Sequence, residues 1–185
     1  SYRLVGSEMC IRDRSNTGPK RLNFLFQKLK KRGIKIKSIQ MQLSLLTKPS
    51  LEDENIKIIC DENEIEYLAY SPLGLGILTV PPNQSPKPTT FLRKSLYQRI
   101  LPKTIELRTL LTNIGKKYSA SQAQVALNWV RSHGAKPIVG IRNPNQAKDA
   151  ISALNWSLTK SEKQKLDFCR NACLANMPLN PFTSP

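Results

Sequence analysis

Stretches with strand character alternate with stretches of helix character along this chain, and consecutive strands lie too far apart to be joined by hairpins. Residues 34–46 (IKIKSIQMQLSLL) alternate apolar and polar side chains, the period of a strand. Residues 65–71 (IEYLAYS) read as a second strand, and residues 136–141 (KPIVGI) as a third, short and buried. Residues 55–64 (NIKIICDENE) fall between the first two and read as a helix with Ile56, Ile59 and Cys60 inward. Between the second and third come a broken helix or helix pair over 97–117 and a strong helix at 121–134 (SQAQVALNWVRSHG). Ser119 or Ser121 caps that helix, Ser121 with Gln124 fits the capping-box pattern, and Gly134 stops it. Before the first strand, Pro19 suits a helix start, Leu22, Leu25, Phe26 and Leu29 recur at helical spacing, and Gly33 ends the run. Two more helices are expected at 144–154 and 160–173, the second capped by Thr159 with Glu162 in its first turn. Parallel strands need crossovers of a dozen residues or more, usually helices. The order therefore predicts an α/β chain with a parallel sheet built from βα units. Three strands are clear, or four if one is lost at the start.

Charge is lopsided: 29 Lys and Arg face 13 Asp and Glu, a formal net charge of +16. Such an excess admits nucleic acid, an acidic membrane surface or a phosphate-rich ligand as partner. The local cluster at residues 28–37 (KLKKRGIKIK) is equally an ordinary helix end, because cations complement the carbonyl end of the dipole and a glycine follows. Aromatic residues make up 6% and do not interleave with the cluster, which argues against base stacking. No apolar run reaches the ~18 residues of a membrane span. The expectation is a chain with no nucleic-acid partner and no membrane partner.

Residues 1–14 (SYRLVGSEMCIRDR) have no period, no cap and no apolar segment of a signal peptide. They read as non-native, similar to translated sequencing adapter, and the domain is expected to run from 15 to 185. Four cysteines form no CxxC pair, and His133 is the single histidine. Zinc wants four close Cys or His ligands, so no metal site is expected. His133 reads as a residue near a helix C-terminus.

Two segments carry chemistry. Residues 68–79 (LAYSPLGLGILT) combine a strand, an abrupt Ser-Pro turn and two spaced glycines. Gly74 and Gly76 would let backbone amides approach a phosphate, and Tyr70 offers a flat face to a planar ring. A turn that merely needs glycine explains the same residues equally well. Residues 136–146 (KPIVGIRNPNQ) run from a strand into Arg142 and Asn143 and then a helix opened by Pro144. An arginine at a strand end beside a helix N-terminus suits a phosphate monoester; a solvated arginine is the competing explanation.

Five segments in order, SNTGPKRL, IQMQLSLL, LAYSPLGLGILT, SASQAQVALNWV and KPIVGIRNPNQAKDAISALNW, resemble the second half of aldo-keto reductases, above all plant and algal chloroplast-type members. The resemblance implies a partial (β/α)8 TIM barrel comprising strands five to eight with their helices; a closed barrel takes eight such units in ~250 residues. It also implies NADP as cofactor. Ser15, Asn16 and Gln40 would hydrogen-bond the nicotinamide carboxamide, and Tyr70 would stack on the ring. Ser71, Leu73, Gly74 and Gly76 would line the pyrophosphate. Arg142 and Asn143 would meet the 2′-phosphate, with Gln146 by the adenine. Ala150 stands where the family usually has an asparagine at the adenine. The family's catalytic Asp, Tyr, Lys and His belong to the first half, so no catalytic residue is assigned.

The implied activity is hydride transfer from NADPH to a small carbonyl substrate, an aldehyde or ketone, with this chain by itself inactive. The alternative is an NADP-binding regulatory or adaptor subunit on the same fold, since fold does not fix function. The implied location is the chloroplast or cytoplasm of a photosynthetic eukaryote.

Overall fold

The computed structural model of the chain describes residues 13–47, 51–84, 86, 90–173, 175 and 177. The expectation for residues 1–12 lies outside them. Four strands, β1 (Asp13–Ser15), β2 (Ser38–Gln42), β3 (Glu66–Tyr70) and β4 (Lys136–Pro137), form one parallel sheet in sequence order. The register aligns Ser15 with Gln40, Gln40 with Leu68, and Leu68 with Lys136. The first strand stands before the three that are clear in the sequence, and its pairing begins at Asp13, opposite Ser38.

Seven α-helices are described: α1 (Pro19–Lys30), α2 (Leu51–Glu62), α3 (Phe91–Ile100), α4 (Ile105–Lys117), α5 (Gln122–Ser132), α6 (Pro144–Ser152) and α7 (Lys160–Ala172). The first two link successive strands, as parallel crossovers require. Three α-helices, α3 to α5, with 3₁₀ segments at Gly74–Thr79 and Leu101–Thr104, fill the longer path from β3 to β4. The broken helix read at 97–117 is thus α3, that turn and α4, broken where Pro102 cannot donate to a helical ladder.

Alternation in the strands sorts the two sheet faces. Ile39, Met41, Tyr67 and Ala69 are buried, in one core with Leu22, Ile56, Leu107 and Trp129 from the helices. Each large apolar side chain buried there contributes roughly 1.5–3 kcal/mol. Gln40, Gln42, Leu68 and Tyr70 point to the other face and are only half-buried.

Two expectations change. The strand read over 34–46 pairs only at Ser38–Gln42, because its neighbours are five residues or fewer long. The strand read as buried at 136–141 is neither six residues long nor buried. Ladder pairing covers Lys136 and Pro137, the Ile138 amide donates to the Ala69 carbonyl at 2.8 Å, and the chain then departs. Ile138 and Ile141 are 42% and 50% exposed. Only β3 flanks this strand among the described residues, so half of its surface has nothing to pack on.

The helix ends follow local chemistry. Thr159 and Glu162 form a complete capping box on α7. Ser121 accepts the Gln124 amide at 3.1 Å, but the Gln124 side chain turns to Asp149 instead of back to Ser121, so that box is half-made. His133 is the C-cap of α5, as read, and its ring also lies 3.0 Å from Asp167 of α7. Burial lowers its pKa, partly offset by Asp167. The Trp129 indole donates to the same carboxylate at 2.8 Å, which locks α5 to α7.

Candidate functional site

The C-terminal ends of the parallel strands gather the first group of expected residues. Asn16, just past β1, has a left-handed backbone (φ 51°), tolerable because asparagine is among the few residues that adopt it. Its amide donates to the Gln40 carbonyl at 2.9 Å, and its side-chain oxygen accepts the Tyr70 hydroxyl at 2.6 Å. Three strands are therefore tied at one level, and the tyrosine ring is held by its far edge. Gln40 shares the half-buried face with Tyr70. Ser15 enters through its backbone, opposite Gln40; its side chain lies outside the description.

After Tyr70 the chain makes an abrupt turn. Ser71, Gly74, Leu75 and Gly76 all have positive φ (52°, 56°, 54° and 94°). The sequence reading had Gly74 and Gly76 let backbone amides approach a phosphate; in the structure their own two amides are engaged within the turn. The Gly74 amide donates to the Ser71 carbonyl and the Gly76 amide to the Leu73 carbonyl, both at 3.0 Å, so both close the turn itself. Gly74 is buried, and a Cβ there would stand 2.8 Å from Leu46 Cδ1. Gly74 is therefore a packing residue. At Gly76 a Cβ would meet the Tyr97 hydroxyl at 2.9 Å. That hydroxyl donates to the Leu75 carbonyl at 3.0 Å and clasps the turn from α3.

A cleft of about 730 Å³ opens beside this turn. Ser71, Leu73 and Gly76 from the turn, Arg142 and Gln146 at the start of α6, and Arg93 and Tyr97 of α3 all line it. Arg142 is exposed, and no described group forms a hydrogen bond or ion pair with its guanidinium. Burial raises the pKa of Tyr97, while the positive charges of Arg93 and Arg142 oppose the rise, so both arginines act on this one corner. Asn143 does not line the cleft. Its side-chain oxygen accepts the Gln146 amide at 3.0 Å as the N-cap of α6. The Gln146 side chain in turn accepts the Arg142 amide at 2.9 Å, so Gln146 braces the arginine's backbone.

At the far end of the cleft, Asp149 sits beside Ala150. Its carboxylate accepts from Ser121 and from Gln124, each at 2.7 Å, and is thereby aimed. Arg108, 2% exposed, donates to the carbonyls of Val80, Pro81 and Leu101 and pins the end of the glycine turn to α4. Arg93, Tyr97, Arg108 and Asp149 were absent from the sequence reading. Arg93 and Tyr97 follow a proline-rich stretch with no motif, and nothing in a single sequence signals that α3 returns over the turn. Asp149 was within reach: it lies three residues after Gln146, one helical turn along the same face.

The donor set fits a phosphorylated ligand. A cation without a counterion stands at a helix N-terminus, with a second guanidinium in the same cleft. Among the described residues no three His, Cys, Asp or Glu side chains gather as a metal site. Burial pushes the Cys60 thiol up to about 12, which makes it inert.

A model of the Aldo/keto reductase family matches residues 15–171. The chain belongs to this family. It is 39% identical over 168 residues to a chloroplastic pyridoxal reductase of Arabidopsis thaliana, across 91% of this chain and 46% of that protein. It is 26% identical to an NADPH-dependent alpha-keto amide reductase of Saccharomyces cerevisiae, across 78% of this chain and 41% of that protein. An aldose reductase from Schistosoma japonicum superposes with a TM-score of 0.59 at 15% identity, over 91% of this chain and 42% of that one. A Bombyx mori aldo-keto reductase solved with NADP gives 0.58 at 20% identity, over 85% and 44%. This aldo-keto reductase chain therefore spans about half the length of the relatives it matches, and its parallel α/β sheet shares their TIM-barrel-type fold.

Proposed function

We propose that this chain is strands five to eight, with their helices, of an NADP-dependent aldo-keto reductase barrel, and that it carries the cofactor-holding part of the site. The observation that carries this reading is the unpaired Arg142 just before the N-cap of α6, lining one cleft together with Ser71 and Gly76. Arg142 and the first turn of α6 hold the 2′-phosphate, Arg93 adds a second positive charge, and the Ser71 side of the turn faces the pyrophosphate. Asn16 and Gln40 orient the nicotinamide carboxamide, and Tyr70 packs on the ring with its edge held by Asn16. Bound there, NADPH supplies the hydride that reduces an aldehyde or ketone; the chain's own residues bind, orient and neutralise. No side chain here is given the proton-donor role, so the 185-residue chain alone turns over no substrate. The family match begins at residue 15, which supports starting the domain there, while Asp13 and Arg14 extend its first strand beside Ser38 and Ile39. The chloroplastic relative supports a plastid location.

The test is NADPH-dependent aldehyde reduction by a protein that joins this chain to a first half-barrel carrying the family's Asp, Tyr, Lys and His. Loss of NADPH absorbance with aldehyde present is expected. Tight NADPH binding without turnover would leave the adaptor reading in place of the enzyme.

A further inference from the structure

We infer that the end of α1 and the turn after it form a docking surface for an anionic lipid bilayer. From residue 14 to residue 51 the chain has ten Lys and Arg and no Asp or Glu. Six of these cations, Lys28, Lys30, Lys31, Arg32, Lys35 and Lys37, fall within ten residues, and all six are exposed. No ion pair joins any of them to a carboxylate among the described residues. At the same end of the sheet, Asp61 pairs with Lys57 and Glu66 with Lys136, while Glu62 and Glu64 lie at and just beyond the end of α2. The helix dipole accounts for cations in the last turn of α1 but not for Lys35 and Lys37, which lie beyond it. Within the same surface Phe24 is 59% exposed, with the Lys28 ammonium 5.5 Å from its ring centre.

The geometry separates this surface from the cleft. Helix α1 leaves the C-terminal end of β1 and returns to the N-terminal end of β2, so its basic end lies across the sheet from Arg142. The chemistry selects the partner. Five of the six cations are lysines, mobile point charges that suit a diffuse field of lipid phosphates and carboxylates. Protein interfaces are enriched in arginine and depleted in lysine. Single-stranded nucleic acid wants several interleaved aromatic platforms, and here one ring is exposed. One exposed phenylalanine amid lysines matches a peripheral surface that inserts a single apolar contact. The sequence expectation of no membrane partner rested on the lack of a spanning segment, and a peripheral contact needs none.

The test is sedimentation of the full chain with vesicles of phosphatidylcholine alone or mixed with phosphatidylserine. Binding only to the mixed vesicles, weakening as salt rises, is expected. Lys28→Glu, Lys31→Glu and Arg32→Glu together should weaken it on the order of a hundredfold. Phe24→Ala should weaken it roughly tenfold. Lys116→Glu, Lys160→Glu and Lys165→Glu together make the same change in net charge at exposed positions elsewhere and should cost far less. Equal loss in the two triple variants, binding to neutral vesicles alone, no binding, or stronger capture by polyglutamate or RNA than by the mixed vesicles would each overturn the proposal.

Discussion

A guanidinium just before the N-cap of a helix acts on a phosphate by its charge, beside the amides of the first turn. Arg142 has this position, and Gln146 fixes its backbone. In the complete protein Arg142→Ala should weaken NADPH binding roughly 10–100-fold, the range for a lost charge-assisted hydrogen bond, and leave NADH nearly unchanged. Fluorescence titration of both nucleotides reads the difference, and equal losses would remove Arg142 from the 2′-phosphate. Gly76 tests the turn. Its φ of 94° and the 2.9 Å gap to Tyr97 both oppose a methyl group. Gly76→Ala should destabilise by about 1–2 kcal/mol in urea unfolding. Adding Tyr97→Phe should recover the steric part and leave the backbone part. Arg142, Tyr70 and Gly76 could be singled out in the sequence because each carries a local or motif signature. Residues that act by arriving from another element, Arg93 and Tyr97, could not. Motif spacing also does not reveal which groups a turn or cap already uses: the Gly74 amide closes the turn and the Asn143 side-chain oxygen caps α6.

At the scale of elements, α7 is tied to the fold through one buried carboxylate. Burial alone would raise the Glu162 pKa, but hydrogen bonds from Lys117, the Thr159 backbone and the Tyr118 and Thr159 hydroxyls outweigh it and hold the group at about 2, against an ordinary 4.5. A pKa depressed on folding stabilises above the unfolded value, and the contribution disappears as pH falls through the folded value. Glu162→Gln should therefore lower the melting temperature at neutral pH. The gap to the wild type should shrink between about pH 4.5 and pH 2; a constant gap would contradict the assignment. Helices such as α5 and α7 were legible because their caps and apolar stripes lie within a few residues of one another. Strand β4 was not, because an apolar run shows burial potential while a strand's length depends on neighbours distant in sequence. The single aspartate that braces Ser121 and Gln124 also explains why the capping box read at α5 is only half-made.

At the scale of the molecule, the sheet ends in β1 on one side and β4 on the other, and no described strand pairs with either outer edge. Its second face carries Gln40, Gln42, Leu68 and Tyr70 without a helical layer. Unpaired edges and an uncovered face promote association. The isolated chain should show concentration-dependent self-association in light scattering, relieved when a complementary half-barrel is supplied; a monodisperse monomer at all concentrations would contradict this. In the proposed reading the adenosine end of the cofactor lies wholly within this chain, by Arg142, Gln146 and Asp149, which line one cleft. The most direct measurement is calorimetric titration of the chain with adenosine 2′,5′-bisphosphate and with ADP. The account predicts that the 2′-phosphorylated ligand binds at least roughly tenfold more tightly, the effect of one charge-assisted contact, and that Arg142→Ala erases the difference. Equal affinity of the wild-type chain for the two ligands would contradict it.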